Sequence, residues 1–348
     1  MTPPDAPDAP DAPDDEDGDG DSTDDAGAPI IAAAEHRFTA GPAQAGGRID
    51  ALIAIVVPTL SRAAAQRLIE DAQVRLNDTV VAKPGQRVRA GDAIVVAVPA
   101  PVPIEVVAED IPLAVLYEDA DIIVIDKPAG CVVHPAAGHP RGTLVNALLF
   151  HCRDLSGIGG ALRPGIVHRL DKDTTGVMVA TKNDRAHAAL GAAFAAKSRG
   201  EAGGIVREYL GIAAPAPPSA TGTLRTWYGR HPTDRKRFSS KVATGKLAVT
   251  HWTTVERLPG AAVVRFRLET GRTHQIRVHA ADHGWPLLGD PLYGRTPKPL
   301  AATAAGLGRQ ALHAAVLELD HPTTGSRLRF ESPVPGDFAR ALSQLRGS

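Results

Sequence analysis

Five ionisable side chains lie within positions 168 to 173, between two short apolar segments. They are His168, Arg169, Asp171, Lys172 and Asp173, and the Thr-Thr-Gly of 174–176 then leads into the apolar strand predicted over 177–181. Charges between two buried strands must lie on a loop at a cleft or pair with one another, because an unpaired buried charge is costly. The sequence therefore predicts a charged site between two strands, with a solvated turn as the simpler alternative.

The chain beyond residue 117 is predicted to be mostly sheet. Apolar segments with strand character span 121–125, 205–212, 250–256 and 262–269, and Gly and Pro mark the turns. The clearest helix covers 184–197, where Asp184 can cap the first turn and Ala186, Leu190 and Phe194 share one face. We expect an α+β fold with a mixed, largely antiparallel sheet and helices at its faces.

The charge of the chain is divided between an acidic tail and a basic remainder. Residues 1–27 hold 11 acidic residues and no basic one, whereas residues 28–348 hold all 38 basic residues and 28 of the 39 acidic ones, a net charge of +10. Such a tail cannot bury a core, so residues 1–45 are predicted to be a disordered tail and lead-in. A basic body indicates a polyanionic partner, most often nucleic acid.

Length and composition limit the class of protein further. A chain of 348 residues suits one large domain and one small one. No apolar run reaches the ~18 residues of a membrane span, and the N-terminus lacks the basic and apolar segments of a secretion signal. Cys131 and Cys152 are too few for a disulfide scaffold. We expect a cytoplasmic monomer without membrane contact.

Residues 46–99 are predicted to form a small α/β module. Apolar spacing indicates helices over 48–57 and 62–71, the second capped by Ser61, and strands over 74–76 and 94–98. The stretches GRIDALIA, LSRAAAQRLIEDAQVRLND and GQRVRAGDAIVV resemble the S4 RNA-binding domain. The resemblance implies RNA contacts from Arg62 and Arg67 on the second helix. The Pro-rich residues 100–116 are predicted to be a linker.

A second charged cluster covers residues 268–279. It contains Arg272, His274, Arg277 and His279. A helical zinc pair needs histidines four apart, and these two are five apart with no third ligand nearby, so no metal site is predicted. Hydrogen bonds to backbone or phosphate are the expected use of these histidines.

Both clusters resemble motifs of the RluA-type pseudouridine synthases. The supporting stretches are DIIVIDKPAGCVVHP, PGIVHRLDKDTTGVMVATKN, REYLGI, GRHPTDRKRF, LETGRTHQIRVHAADHGWPLLGDPLYG and ALHAAVLELDHPTTG. They occur in the family's order and imply a catalytic domain over residues 117–340. Together with the S4-like module they are most similar to the branch that acts on the ribosomal large subunit.

The resemblance implies isomerisation of uridine to pseudouridine in RNA, without a cofactor or metal. It identifies Asp171 as the catalytic carboxylate, which attacks C1′ or removes a proton from C2′. Arg277 matches the basic residue that pairs with this carboxylate and keeps it ionised. Tyr209 matches the tyrosine that stacks on uracil and serves as, or positions, the base at C5. Arg169 matches the arginine that fills the gap left by the flipped uridine.

RNA contact is expected from residues 225–246. This stretch holds seven basic residues and a single acid, with Trp227, Tyr228 and Phe238 interleaved. Basic side chains bind phosphates, and exposed aromatic rings stack on unpaired bases. The candidate RNA-binding residues outside the S4-like module are Arg230, Arg235, Lys236, Arg237 and Arg272. A solvated hairpin with its aromatic rings in the core is the alternative.

The expected substrate is 23S ribosomal RNA or a large-subunit precursor. Transfer RNA is the alternative substrate, although the S4-like module argues against it. A non-catalytic RNA-binding assembly factor is another possible class, but it would be expected to lack Asp171, Tyr209 or Arg277. A glycoside-type hydrolase would use Asp171 and Asp173, and its two carboxylates must flank a sugar.

Overall fold

The computed structural model describes residues 34–57, 60, 62–98, 106–135, 139–152, 165–201, 204–234 and 236–347. They fall into two compact units that divide between residues 103 and 104. The expected tail over residues 1–33, the expected cap Ser61 and the candidate Arg235 lie outside the described residues. In the described part of the chain, no helix is long and apolar enough to cross a membrane.

The first unit is a four-stranded antiparallel sheet with two helices. Its strands are β1 (Ala34–Thr39), β2 (Val74–Leu76), β3 (Thr79–Val80) and β4 (Ala93–Val98), in the spatial order β1-β4-β2-β3. The helices α1 (Ile49–Val56) and α2 (Arg62–Glu70) lie close to their predicted bounds. Their apolar faces share one core with the inner face of the sheet.

Strand β1 corrects the expectation that residues up to 45 are a lead-in. It pairs with β4 from Ala34 opposite Val98 to Thr39 opposite Ala93. Its sequence, AEHRFT, has one large apolar side chain, Phe38, which packs against the core. An edge strand of an antiparallel sheet can keep one face in solvent, so it needs few apolar residues. The sheet of this unit therefore begins at residue 34.

The second unit is built on a ten-stranded sheet. Its strands are β5 (Val115–Glu118), β6 (Ile122–Lys127), β7 (Thr175–Thr181), β8 (Val206–Ala213), β9 (Thr221–Arg230), β10 (Phe238–Ser239), β11 (Lys246–Leu258), β12 (Ala261–Leu268), β13 (Leu312–Asp320) and β14 (Arg327–Glu331). The spatial order is β10-β9-β11-β12-β8-β13-β7-β6-β5, and β14 pairs with β13. The predicted mixed, largely antiparallel sheet is confirmed.

A parallel pairing joins β7 to β13 at the centre of this sheet. Thr175 and Gly176 lie opposite His313 and Ala314. Gly176 has a φ of 113°, and a Cβ at this position would collide with the backbone oxygen of Ala314. Glycine is required here because the two backbones approach closely. All seven residues of β7 are buried, so the charged loop before it enters the middle of the core.

Helices cover parts of the sheet. They are α3 (Leu144–His151), α4 (Asp184–Ser198), α5 (Gln275–Asp282), α6 (Ala301–Leu307) and α7 (Gly336–Arg346). Helix α4 buries Ala186, Leu190 and Phe194 as predicted. Its cap is Asn183, whose side-chain oxygen accepts the Ala186 N–H at 2.9 Å, and not Asp184.

The segment predicted as a linker packs on the second unit from residue 106 onward. Val106 and Leu113 contact its main core. Asn146 Nδ2 donates to the Val107 carbonyl at 2.7 Å, and the Glu109 N–H donates to the Asn146 carbonyl at 3.0 Å. The expected linker over 100–116 is therefore wrong for residues 106–116, which belong to this unit.

Candidate active site

Buried cations hold the backbone of the loop before β7. Lys127, at the end of β6 and 0% exposed, donates from Nζ to three carbonyl oxygens, including that of Lys172 at 2.8 Å. Arg309 Nη1 donates to the carbonyl of Asp173 at 3.1 Å. A buried ammonium or guanidinium is tolerated where such acceptors satisfy it. These contacts fix the chain immediately after Asp171.

The carboxylate of Asp171 lies against the guanidinium of Arg277. Nη1 of Arg277 is 2.9 Å from Asp171 Oδ2, and the side chains are 7% and 17% exposed. His274 Nε2 is 3.9 Å from Asp171 Oδ1. Burial acts to raise the pKa of Asp171, but His274, Arg277 and Arg169 outweigh it and hold that pKa at about 2. Asp171 is therefore ionised at neutral pH in a largely closed site.

His274 brings α5 into the site through an unusual backbone conformation. It precedes the helix with φ 57° and ψ 17°, in the left-handed region that residues other than glycine rarely adopt. Gln275 stabilises this turn by accepting from Thr270 Oγ1 at 2.8 Å and from the Arg272 N–H at 2.9 Å. Strained conformations persist only where the surroundings enforce them. The turn directs both His274 and Arg277 at Asp171.

Tyr209 lies on β8, between β12 and β13, and is 7% exposed. Burial raises the pKa of its phenol and the charge of Asp171 adds to this, while Arg207 opposes it. The phenol is therefore protonated at neutral pH. Arg169 is half-buried, and its charge contributes to the low pKa of Asp171.

His168 is a neutral, buried histidine beside the charged loop. Its Nε2 accepts the Val179 N–H of β7 at 3.1 Å, and its ring stacks on Phe194 at 4.4 Å. Burial, aided by the charge of Arg207, lowers its pKa to about 3. His279 on α5 has a pKa of about 3 for the same main reason, burial, and its ring nitrogens contact Thr226 and Thr250 hydroxyls.

These two histidines predict a loss of stability in mild acid. The unfolded chain binds a proton at each histidine below a pKa of ~6.5, whereas the folded chain does not until about pH 3. The free energy of unfolding should therefore fall by about 2 kcal/mol per histidine between pH 7.5 and 5. Urea unfolding at both pH values measures this. His168→Gln should weaken the pH dependence of the free energy of unfolding, and the exposed His139→Gln should leave it unchanged. If both variants show the same pH dependence, buried His168 is not its source.

The predicted RNA-binding residues differ in their surroundings. Arg230 Cζ lies 4.4 Å from the centre of the Phe238 ring, and Arg237 Cζ lies 5.4 Å from that of Tyr293. Arg272 donates from Nε to the Leu247 carbonyl at 3.0 Å, whereas Lys236 is exposed. In the first unit, Arg67 is exposed and Arg62 Nε lies 3.2 Å from the fully buried Asp50.

The expectation of exposed aromatic rings in the 225–246 stretch is wrong for two of the three. Tyr228 is 4% exposed and Phe238 is 7% exposed, and both belong to a small core with Val278. The Tyr228 hydroxyl donates to the Thr273 carbonyl. Trp227 is half-buried. Tyr228 and Arg230 are two positions apart on β9 and so share a face of the strand, and that face is covered by other parts of the unit, so the rings lie in the core.

Two clusters of metal-type donors occur among the described residues, and both are occupied by protein hydrogen bonds. In the cluster of Asp119, Asp121 and His321, Nδ1 of the histidine accepts two backbone N–H groups, so Nε2 carries its proton and donates to Asp119 at 2.9 Å. In the cluster of Glu118, His151 and Cys152, the ammonium of Lys182 lies 2.6 Å from Glu118. His274 and His279 contact different groups and do not form a pair.

Sequence reasoning missed several residues that shape the site. Lys127, Asp290, Tyr293 and Arg309 were not singled out, although the first three lie in the quoted stretches DIIVIDKPAGCVVHP and LETGRTHQIRVHAADHGWPLLGDPLYG. The signal for Lys127 was a charge directly after an apolar strand. For Asp290 it was an acid in a turn between glycines, which is typical of many surface loops.

The sequence matches two family models over these units. Residues 121–282 match the RNA pseudouridylate synthase family, and residues 47–94 match the S4 domain. The chain is 46% identical over 303 residues to an uncharacterized RNA pseudouridine synthase of Synechocystis sp., which covers 86% of this chain and 90% of that protein. The chain belongs to the RNA pseudouridine synthases.

A more specific relative is the ribosomal large subunit pseudouridine synthase D of Pseudomonas aeruginosa. It is 44% identical over 324 residues, which covers 91% of this chain and 96% of that protein. Among solved structures, human RNA Pseudouridylate Synthase Domain Containing 4 aligns with a TM-score of 0.51 and 25% identity, over 67% of this chain and 93% of that one.

Proposed function

We propose that this RNA pseudouridine synthase modifies ribosomal RNA of the large subunit, with Asp171 as the catalytic carboxylate. The contact of Asp171 Oδ2 with Arg277 Nη1 at 2.9 Å, on the loop that precedes a central buried strand, is the observation that carries the assignment of the site. The relatives whose names include the ribosomal large subunit support the substrate. We further propose that the enzyme acts in the cytoplasm as a monomer.

The reaction needs an anionic group at the sugar. Either the Asp171 carboxylate attacks C1′, or it removes the C2′ proton; both routes release N1 from C1′. The uracil then turns and C5 bonds to C1′, which displaces the Asp171 carboxylate in the first route and is accompanied by return of the proton to C2′ in the second. In both routes the C5 proton leaves and N1 gains a proton, so the atoms balance. A pKa of about 2 keeps Asp171 anionic throughout the physiological range.

We assign Tyr209 to contact with the uracil base. We assign Arg169 to the RNA helix from which the uridine flips out. Because burial raises the pKa of the Tyr209 phenol, stacking on uracil or positioning the C5 proton suits it better than acting as a phenolate base. The half-buried Arg169, two residues before Asp171, can stack in the gap left by the flipped uridine.

The rival functions are less well supported. A non-catalytic assembly factor has no need for an ionised carboxylate with a buried cationic partner. A hydrolase would use Asp173 as a second carboxylate across a sugar ring, whereas a tyrosine and an arginine beside Asp171 suit a nucleobase better. Mapping pseudouridines in ribosomal and transfer RNA, with and without the gene, tests the substrate directly. Loss of pseudouridine from transfer RNA alone would refute ribosomal RNA as the target.

The first unit should recruit long RNA. The boundary between the two compact units follows residue 103, so removal of residues 1–103 deletes the first unit and keeps the second. We expect the remaining enzyme to lose at least roughly tenfold in kcat/KM on full ribosomal RNA, because basic contacts that bind phosphates are lost. Activity on a short stem-loop should change by less than threefold. Equal losses on both substrates, with a lower melting temperature, would show that the first unit acts on stability and does not recruit RNA.

A further inference from the structure

The side of Arg277 away from Asp171 is occupied by a second carboxylate. Asp290 follows α5, and its side chain is 0% exposed. It accepts Arg277 Nε at 2.8 Å and Nη2 at 3.1 Å. Its Oδ1 also accepts the backbone N–H groups of Leu292 and Tyr293 at 2.9 and 3.0 Å. Asp290 is therefore rigidly held and directed at Arg277.

This contact decides how Arg277 meets Asp171. Guanidinium groups favour two parallel hydrogen bonds to a single carboxylate. Since Asp290 takes Nε and Nη2, the contact with Asp171 comes from Nη1 alone and reaches Oδ2. Arg277 thus holds Asp171 by one oxygen, and Oδ1 stays outside that contact. Without Asp290, the guanidinium of Arg277 could rotate and donate two parallel hydrogen bonds to the two carboxylate oxygens of Asp171.

The segment that follows α5 and carries Asp290 also orients His274, through Tyr293. The Tyr293 hydroxyl accepts the Phe238 N–H at 3.1 Å and lies 2.9 Å from His274 Nδ1. The contact of this hydroxyl with Nδ1 fixes the orientation of the imidazole ring and thereby of its other nitrogen, Nε2. That nitrogen faces Asp171 Oδ1 at 3.9 Å.

We propose that Asp290 and Tyr293 are positioning residues: Asp290 restricts Arg277 to one oxygen of Asp171, and Tyr293 holds Nε2 of His274 toward the other. The inference rests on the proposed function, because it takes Asp171 Oδ1 as the reacting atom. The two residues act through Arg277 and His274 and need no contact with RNA.

The test is the single-turnover rate of pseudouridine formation at saturating stem-loop RNA. Asp290→Asn keeps an acceptor for the two backbone N–H groups but loses the charge. We expect its rate to fall ~100-fold, as for other displaced catalytic groups, with the dissociation constant for RNA within threefold. Asp119→Asn removes a hydrogen-bonded carboxylate outside the site and should keep the wild-type rate. Tyr293→Phe should be about tenfold slower, from the loss of one orienting hydrogen bond.

A double variant separates positioning from simple structural damage. Lysine cannot form the bidentate contact, so Arg277→Lys in the Asp290→Asn background should be about tenfold faster than Asp290→Asn alone. If the two losses instead multiply, the role of Asp290 is only structural. Asp290→Asn and Tyr293→Phe rates near wild type would overturn the inference while leaving the proposed function intact. An inactive wild-type enzyme on every RNA would refute the proposed function itself.

Discussion

Asp171→Asn is expected to abolish pseudouridine formation, a loss of roughly 10⁴-fold or more in the single-turnover rate. Asparagine still accepts a hydrogen bond from Arg277, but it cannot attack C1′ or take a proton from C2′. Folding should be little affected, because Arg277 keeps both contacts to Asp290. RNA affinity should stay within threefold. Rates on a stem-loop RNA and the melting temperature measure both expectations.

Asp173→Asn is the matched control for this variant. Asp173 lies two positions further along the same loop, and Arg309 holds it through its backbone carbonyl, which the substitution keeps. Its rate should therefore stay within threefold of the wild type. Substantial turnover in Asp171→Asn, or an equal loss in Asp173→Asn, would show that the carboxylate of Asp171 does not perform the chemistry.

Arg277→Leu should remove most activity and also destabilise the fold, in contrast to Asp171→Asn. The substitution leaves two carboxylates without their partner, and Asp290 is completely buried. Removing one partner of a buried ion pair costs about 3–5 kcal/mol. The pKa of Asp171 should rise from about 2, since burial is then opposed by His274 and Arg169 alone. The residual activity of Arg277→Leu should therefore be lost at mildly acidic pH, where Asp171 becomes protonated.

Arg277→Lys should restore part of both losses, because an ammonium keeps the charge but cannot bond both carboxylates in the same geometry. Urea unfolding and a pH-rate profile separate the two effects. An Arg277→Leu variant with wild-type turnover and stability would contradict the pairing.

The pattern of apolar residues predicted the large helices and strands, because an element that buries one or both faces must carry apolar residues at the matching positions. Helix α4 and the helices of the first unit show apolar residues at helical spacing, and the strand after the charged loop is a continuous apolar segment that is buried throughout. Strand β1 has no such pattern, because it is an edge strand with one face in solvent. Residues 106–113 are held by the apolar contacts of Val106 and Leu113 and by hydrogen bonds to Asn146, and these contacts produce no periodic pattern in the sequence.

The sequence predicted only those site residues that lie in a family motif and also have an evident chemical role. The ion pair of Asp171 and Arg277 joins residues that are 106 positions apart, and the family resemblance supplied that pairing. The backbone conformation of His274 and the orientation of Asp290 arise from tertiary contacts that no spacing rule encodes. The burial of Tyr228 and Phe238 could not be told from strand alternation alone.

The hydrogen bond from Arg309 to Asp173 spans 136 positions of the chain. Synthesis proceeds from the N-terminus, and domains generally fold as units in that order. Strands β1 to β4 are complete at residue 98, long before Arg277 and Arg309 exist. Contacts between distant residues also form slowly, because loop closure must precede them. A growing chain therefore completes its S4 unit first and the surroundings of Asp171 last, so a prematurely terminated chain would carry the unit that we propose to recruit RNA but not the groups that we propose for catalysis.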